Sequence, residues 1–274
     1  MYKVLLADDN ALSRKAVRQS VSWKNNGCKI VGEAENGVKA CQMIRELRPD
    51  IVLMDIRMPG MTGLEAIRCL KGEGIDSLYI LITAYDDFAF AKEGIQLGVF
   101  DYILKPVAEK ELQRVIQKAV DDLTQEIQDG EKEKRRRLLN ESICGNTSAM
   151  EALQCACERV WGRFQDYCII LVSSETGMDD TLLQEIQKSC ELRLPVRLLW
   201  TRNKEGTVFL CSFQELQMIK EYYLISLKVA EQIQGWLQKG EIAAVISISE
   251  VAKKTADIPF LYEHAVFARN SRFF

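Results

Sequence analysis

Residues 51–55 read Ile-Val-Leu-Met-Asp, four apolar side chains running straight into a carboxylate. A similar construction, a largely apolar run ending in a reactive polar residue, recurs three times in the first half of the chain. Lys3–Ala7 leads into Asp8 and Asp9, Tyr79–Ile82 into Thr83, and Tyr102–Leu104 into Lys105. Short runs rich in Val, Ile and Leu, separated by helix-length segments, are the pattern of buried parallel strands, because a parallel sheet is covered on both faces. In such a sheet ligands sit beyond the carboxyl ends of the strands. Asp8, Asp9, Asp55, Thr83 and Lys105 are therefore expected in one crevice.

Between these runs the apolar residues switch to helical spacing: Leu12, Ala16 and Val17, then Ala40, Ile44 and Leu47, then Leu64, Ile67 and Leu70. Two more helices are expected around 88–97 and from Glu109 onward, and Lys29–Ala34 supplies a further strand. Turn signals such as Asn36-Gly37, Pro49-Asp50 and Pro59-Gly60 mark the boundaries. Alternation of strand and helix predicts a doubly wound α/β domain with a five-stranded parallel sheet over residues 1–125. Leu112, Ile116, Ala119, Leu123 and Ile127 continue an apolar seam at spacings of four and three, which predicts a coiled-coil helical linker over 126–140. Arg135–Arg137 stand among acids at 129, 131 and 133, the pattern of a solvated helix face rather than a nucleic-acid patch.

Residues 141–274 read as a second, α+β domain. A helix near Met150–Trp161 is followed by a strand at Tyr167–Val172, a helix at Thr181–Cys190, and strands at Val196–Trp200 and Val208–Cys211 around an Asn203-Lys-Glu-Gly206 turn. A helix over 214–237, a strand at Ile242–Ile248 and a helix at Ile258–Asn270 complete it. Strand, helix, hairpin, helix, strand is the ferredoxin-like order, an antiparallel sheet with its helices on one face.

Composition narrows the functional classes. The 274 residues are 47% hydrophobic and 27% charged, the balance of a globular protein of about two domains. Lys and Arg number 17 against 19 acids up to Gln128 and 19 against 20 beyond it, so neither half has the basic excess of an independent nucleic-acid module. No apolar stretch approaches the roughly 20 residues that span a bilayer, and the acidic pair in MYKVLLADD interrupts any signal peptide, so the expected location is cytoplasmic, with no membrane partner. Nine cysteines without a C-x-x-C pair, and His264 as the only histidine, argue against a zinc site or a disulfide framework.

The residue types at the strand ends suit phosphoryl transfer. That reaction needs alignment and charge neutralisation more than covalent work by the protein. A carboxylate can be the nucleophile, giving an aspartyl phosphate. Two more carboxylates beside it repel unless a cation is present, and clustered carboxylate oxygens suit Mg2+. Lys105 adds a second positive charge, and Thr83 a hydroxyl that can reach a phosphoryl oxygen.

These residues resemble the receiver domain of two-component response regulators. LLADDN (5–10), IVLMDIRMPGMTGLE (51–65), LITAYDD (81–87) and DYILKPV (101–107) are similar to that family's acidic pair, phospho-acceptor loop, switch hydroxyl and lysine-proline. The resemblance implies a flavodoxin/CheY-like fold in which Asp55 is phosphorylated by a sensor histidine kinase. It also implies that Asp8, Asp9, Asp55 and the backbone carbonyl of Arg57 hold Mg2+, that Lys105 pairs with the phosphoryl group, and that Thr83 and Tyr102 form a switch pair. Lys105–Pro106 would be a cis peptide. No enzymatic activity is implied beyond magnesium-dependent self-phosphorylation and dephosphorylation at Asp55.

The wording of residues 81–107 is similar to the YesN/AraC-type subgroup, whose members carry a C-terminal helix-turn-helix pair. IAAVISISEV (242–251) and LYEHAVFARNSRFF (261–274) resemble that subgroup's middle domain, a degenerate relative of GGDEF nucleotide-cyclase domains. The hairpin TRNKEGTVFL (201–210) lacks the paired glycines and adjacent acids of a working cyclase. The expectation is a phosphorylation-gated transcription regulator, homodimeric through the fifth helix and coiled coil, whose DNA-binding domain lies outside this chain. The alternatives are a stand-alone protein-binding regulator and, less in keeping with the hairpin, a nucleotide-cyclase output.

Overall fold

The computed structural model describes residues 1–83, 93, 94, 96–162, 166–213 and 219–271. The helix expected over 88–97 falls mostly outside these residues, as do positions 214–218 of the helix expected over 214–237. The chain divides into two units, Met1–Gln128 and Asp129–Phe274.

In the first unit β1 (Tyr2–Ala7), β2 (Cys28–Ala34), β3 (Ile51–Asp55), β4 (Leu78–Thr83) and β5 (Asp101–Leu104) form one sheet in the order β2-β1-β3-β4-β5. Every neighbouring pair is parallel. Side chains on a strand alternate between faces, and here both sets are apolar. Leu5, Ala7, Val52, Met54, Tyr79 and Leu81 pack against α2 (Gly37–Leu47) and α3 (Gly63–Gly72). Val4, Leu6, Ile51, Leu53, Ile80, Ile82 and Ile103 pack against α1 (Ala11–Ser20) and the first part of α4 (Glu109–Ile143).

The helices that start beside the strand ends are capped by their own sequence. Asn10 accepts hydrogen bonds from the Leu12 and Ser13 amides, and Thr62 forms a reciprocal capping box with Glu65. Gly63, the first residue of α3, is pressed against the end of β3. A Cβ there would lie 2.2 Å from the carbonyl oxygen of Asp55.

The seam of α4 has a local purpose. Leu112, Ile116 and Ala119 are fully buried in the first unit and Leu123 packs beside them, whereas Ile127 is exposed. Further along, Leu138 and Leu139 are buried in the core of the second unit. The basic run is not a solvated face. Arg135 is buried, and the Arg136 guanidinium lies 3.4 Å from the centroid of the Trp200 ring, leaving only Arg137 largely in solvent. Stacking on an indole compensates an arginine for lost hydration, a contact that charge pattern alone does not reveal.

The second unit contains α5 (Thr147–Trp161), β6 (Asp166–Ser174), α6 (Asp180–Arg193), β7 (Val196–Asn203), β8 (Gly206–Phe213), α7 (Ile219–Lys239), β9 (Ala244–Ile248) and α8 (Ile258–Asn270). Its sheet runs β7-β8-β6-β9, antiparallel throughout. Helices cover both faces, not one. Cys168, Ile170, Val172, Leu198, Phe209 and Cys211 face α6 and α7. Their alternates Tyr167, Ile169, Leu171, Leu199, Val208 and Leu210 face α5, α8 and the end of α4. Six such side chains left open would forfeit on the order of 10 kcal/mol, comparable with the roughly 5–15 kcal/mol net stability of a whole domain. The edge of β7 is closed by α6, where Glu191 accepts from the Leu198 amide at 2.9 Å and Gln187 donates to its carbonyl at 2.9 Å.

Gly63→Ala is expected to lower stability by about 1–3 kcal/mol through overpacking against the acceptor strand, read as an earlier urea midpoint with an unchanged slope. Gly130→Ala, where an added Cβ meets nothing within 4 Å, is expected to leave the midpoint unchanged or raise it.

Candidate functional site

The order β2-β1-β3 means that the chain leaves β1 to one side and returns to its other side. That reversal opens a crevice at the carboxyl ends of β1 and β3. Ala7 pairs with Met54, so the next residues, Asp8 and Asp55, stand side by side. Both are buried, at 3% and 5% exposure, while Asp9 is exposed at the rim. Oxygen atoms from Asp8, Asp9 and Asp55 lie within 4.8 Å of one another.

Lys105 enters from beyond β5. Its amide donates to the carbonyl of Thr83 at 2.7 Å, and the peptide that follows, to Pro106, is cis. The ammonium lies 2.5 Å from Asp55 Oδ2 and 2.9 Å from Asp8 Oδ2. The first contact is a hydrogen bond. The second is an ion pair without hydrogen-bond alignment, so Asp8 Oδ2 is buried with no hydrogen-bond donor among the described residues. The other oxygens are held by backbone: the Asn10 amide donates to Asp8 Oδ1 at 2.8 Å and the Arg57 amide to Asp55 Oδ1 at 3.3 Å.

Burial pushes the Asp55 carboxyl above its ordinary value. The hydrogen bond and charge of Lys105 pull the other way, Asp8 adds to the rise, and burial wins. Burial also pulls the Lys105 ammonium down, yet its hydrogen bond to Asp55 and the negative charges of Asp55 and Asp8 beside it outweigh that and hold it above its ordinary value. Among the described residues one ammonium faces three carboxylates, the donor set is oxygen only and Asp8 Oδ2 has no hydrogen-bond donor, so these residues fit a hard divalent cation.

Thr83 is buried at the end of β4, one residue past Ile82, which pairs with Asp55. Tyr102 is 46% exposed on β5, so its ring is not core packing. Sequence reasoning missed three supports. Asn10 both caps α1 and fixes Asp8; Arg14, one helical turn on, donates to the Asp8 carbonyl at 2.6 Å; and Gly63 admits the close approach to Asp55. An Asn just before a helical run was a legible signal for the first. Nothing local marked the other two.

Residues 4–117 match the family model described as the response regulator receiver domain. The transcriptional regulatory protein YesN of Bacillus subtilis is 33% identical over 141 residues, 52% of this chain and 38% of that protein. The transcriptional regulatory protein HptR of Staphylococcus aureus is 34% identical over 126 residues, 46% of this chain and 49% of that protein. The chain thus spans about half or less of these relatives. Among solved structures, the receiver domain of AraT, a response regulator from Geobacillus stearothermophilus, is 38% identical, with a TM-score of 0.44 over 46% of this chain and 97% of that one. The first unit of this chain is a response regulator receiver domain, with relatives among transcription regulators.

Proposed function

We propose that this protein is a phosphorylation-controlled regulator in which Asp55 accepts a phosphoryl group from a sensor histidine kinase. The observation that carries the reading is the ammonium of Lys105 bridging buried Asp55 and Asp8, with Asp9 at the rim. Asp8, Asp9, Asp55 and the carbonyl of Arg57 would hold Mg2+, whose charge offsets the carboxylates and the incoming phosphoryl oxygens. Asp55 is oriented for attack, since Lys105 engages Oδ2 and the Arg57 amide engages Oδ1. Once a phosphoryl group is attached, Lys105 pairs with it and the Thr83 hydroxyl donates to it. Tyr102, now exposed, then turns inward as the second member of the switch and remodels the surface beside α4. No catalytic role is proposed beyond phosphorylation and dephosphorylation of its own Asp55.

The output we infer is transcriptional, exerted through an AraC-type DNA-binding domain outside this chain and a homodimer formed through α4. The support is the regulatory naming of the relatives and the apolar seam, whose Ile127 is exposed. The protein would act in the cytoplasm, and no helix among the described residues is long and apolar enough to cross a membrane. The second unit we read as a degenerate GGDEF-like module without cyclase chemistry. Its hairpin loop is tied down internally: Arg269 donates to the Glu205 carbonyl at 3.1 Å and pairs with its carboxylate at 2.7 Å.

With acetyl phosphate and Mg2+ the protein is expected to gain the mass of one phosphoryl group. Asp55→Ala is expected to gain none; undiminished labelling of that variant would overturn the reading. Asp9→Asn is expected to label only at raised Mg2+, checked by the metal dependence of the same mass shift.

Burial makes ionised Asp55 worse off in the fold than in the unfolded chain, so its charge destabilises the native state at neutral pH. Without divalent cations Asp55→Asn is therefore expected to melt above the wild type at pH 7. The gap should close as pH falls toward the ordinary value of 3.8, and added Mg2+ should raise the wild type more than the variant.

A further inference from the structure

The second unit contains a cleft of about 720 Å3 between residues 130–140 of α4 and the carboxyl end of β7. Its walls carry Lys134, Arg136, Arg137 and Arg202 against two acids, Glu133 and Asp180. Glu141 stands behind Arg137 at 3.8 Å, so among the described residues the cleft keeps a small positive excess, in a concavity within the roughly 300–1,000 Å3 usual for small-molecule sites.

Two of the guanidiniums are fixed in place. Arg136 is stacked on Trp200 with its side chain only 15% exposed. Arg202 lies 5.5 Å from the same ring and donates to the Met178 carbonyl at 2.5 Å. Asp180 touches both, at 2.7 Å from Arg202 and 3.6 Å from Arg136. One half-exposed carboxylate thus serves two arginines, and the second acid, Glu133, is 73% exposed and 3.4 Å from Arg136. Lys134 has neither hydrogen bond nor ion pair among the described residues. Stacking and the Met178 carbonyl therefore place cations that the local acids leave partly unneutralised, which is the arrangement of a preformed anion site.

We propose that this cleft binds a small anion carrying two or more phosphate groups, an activity separate from phosphorylation of Asp55. Planar guanidinium forks match carboxylate and phosphate oxygens alike, and a chain of phosphates carries enough oxygens to engage Arg136, Arg202 and Lys134 together, which a single carboxylate does not. Asn140 and Thr201 in the same wall offer neutral donors for further oxygens.

Inorganic pyrophosphate titrated into the full chain by calorimetry, at fixed ionic strength and without divalent cations, tests the assignment. The expected result is saturable binding of a single anion, weakened about tenfold in Lys134→Ala/Arg137→Ala. The charge-preserving pair Lys134→Arg/Arg137→Lys should keep most of the affinity. Both side chains are exposed, so melting temperatures of all three proteins should agree and exclude a folding defect. Absence of binding, an equal affinity in the double alanine variant, or full displacement by chloride at matched ionic strength would overturn the proposal.

Discussion

The contact on which the first unit depends is the ammonium of Lys105 set between the buried carboxylates of Asp55 and Asp8. A buried charge without a partner is among the most costly things a fold can hold. Two adjacent carboxylates at the end of a parallel sheet are therefore tolerated only while a cation is delivered to them. Lys105 does this from two strands away, because β5 ends level with β4 and the Lys105 amide is tied to the Thr83 carbonyl. Even so, burial still holds Asp55 above its ordinary value, so one ammonium does not complete the neutralisation. The remaining deficit is what a divalent cation held by these carboxylates would offset.

Everything that places these groups comes from the alternation of apolar residues on five strands. Leu53 faces one helical layer and Met54 the other, so β3 is held from both sides and Asp55 emerges at its end. The helices start at the same end of the sheet, capped by Asn10, Asn36 and Thr62. Asn10 serves helix and site at once, as its side chain caps α1 and its amide holds Asp8.

The strands of the first unit were legible because each is a short apolar run closed by a polar residue, and the same feature exposed the site. Less legible was whatever depends on contacts between distant segments. Arg135 and Arg136 look solvated beside Glu131 and Glu133, yet one is buried and the other stacks on Trp200, 64 positions further along the sequence. The second face of the antiparallel sheet was missed for a similar reason. A four-strand, two-helix order suggests one covered face, while the apolar alternates Ile169, Leu171, Val208 and Leu210 required the end of α4, α5 and α8 to cover the other. The close approach of Gly63 to the Asp55 carbonyl is likewise invisible in any local pattern.

The central claim is that Asp55, and no other carboxylate of the crevice, receives the phosphoryl group. The most direct measurement is reductive trapping of the phosphorylated protein followed by peptide mapping by mass spectrometry. The account predicts that the modified residue is Asp55 alone, with Asp8 and Asp9 recovered unmodified. Modification of Asp8 or Asp9, or of a residue outside the crevice, would contradict it.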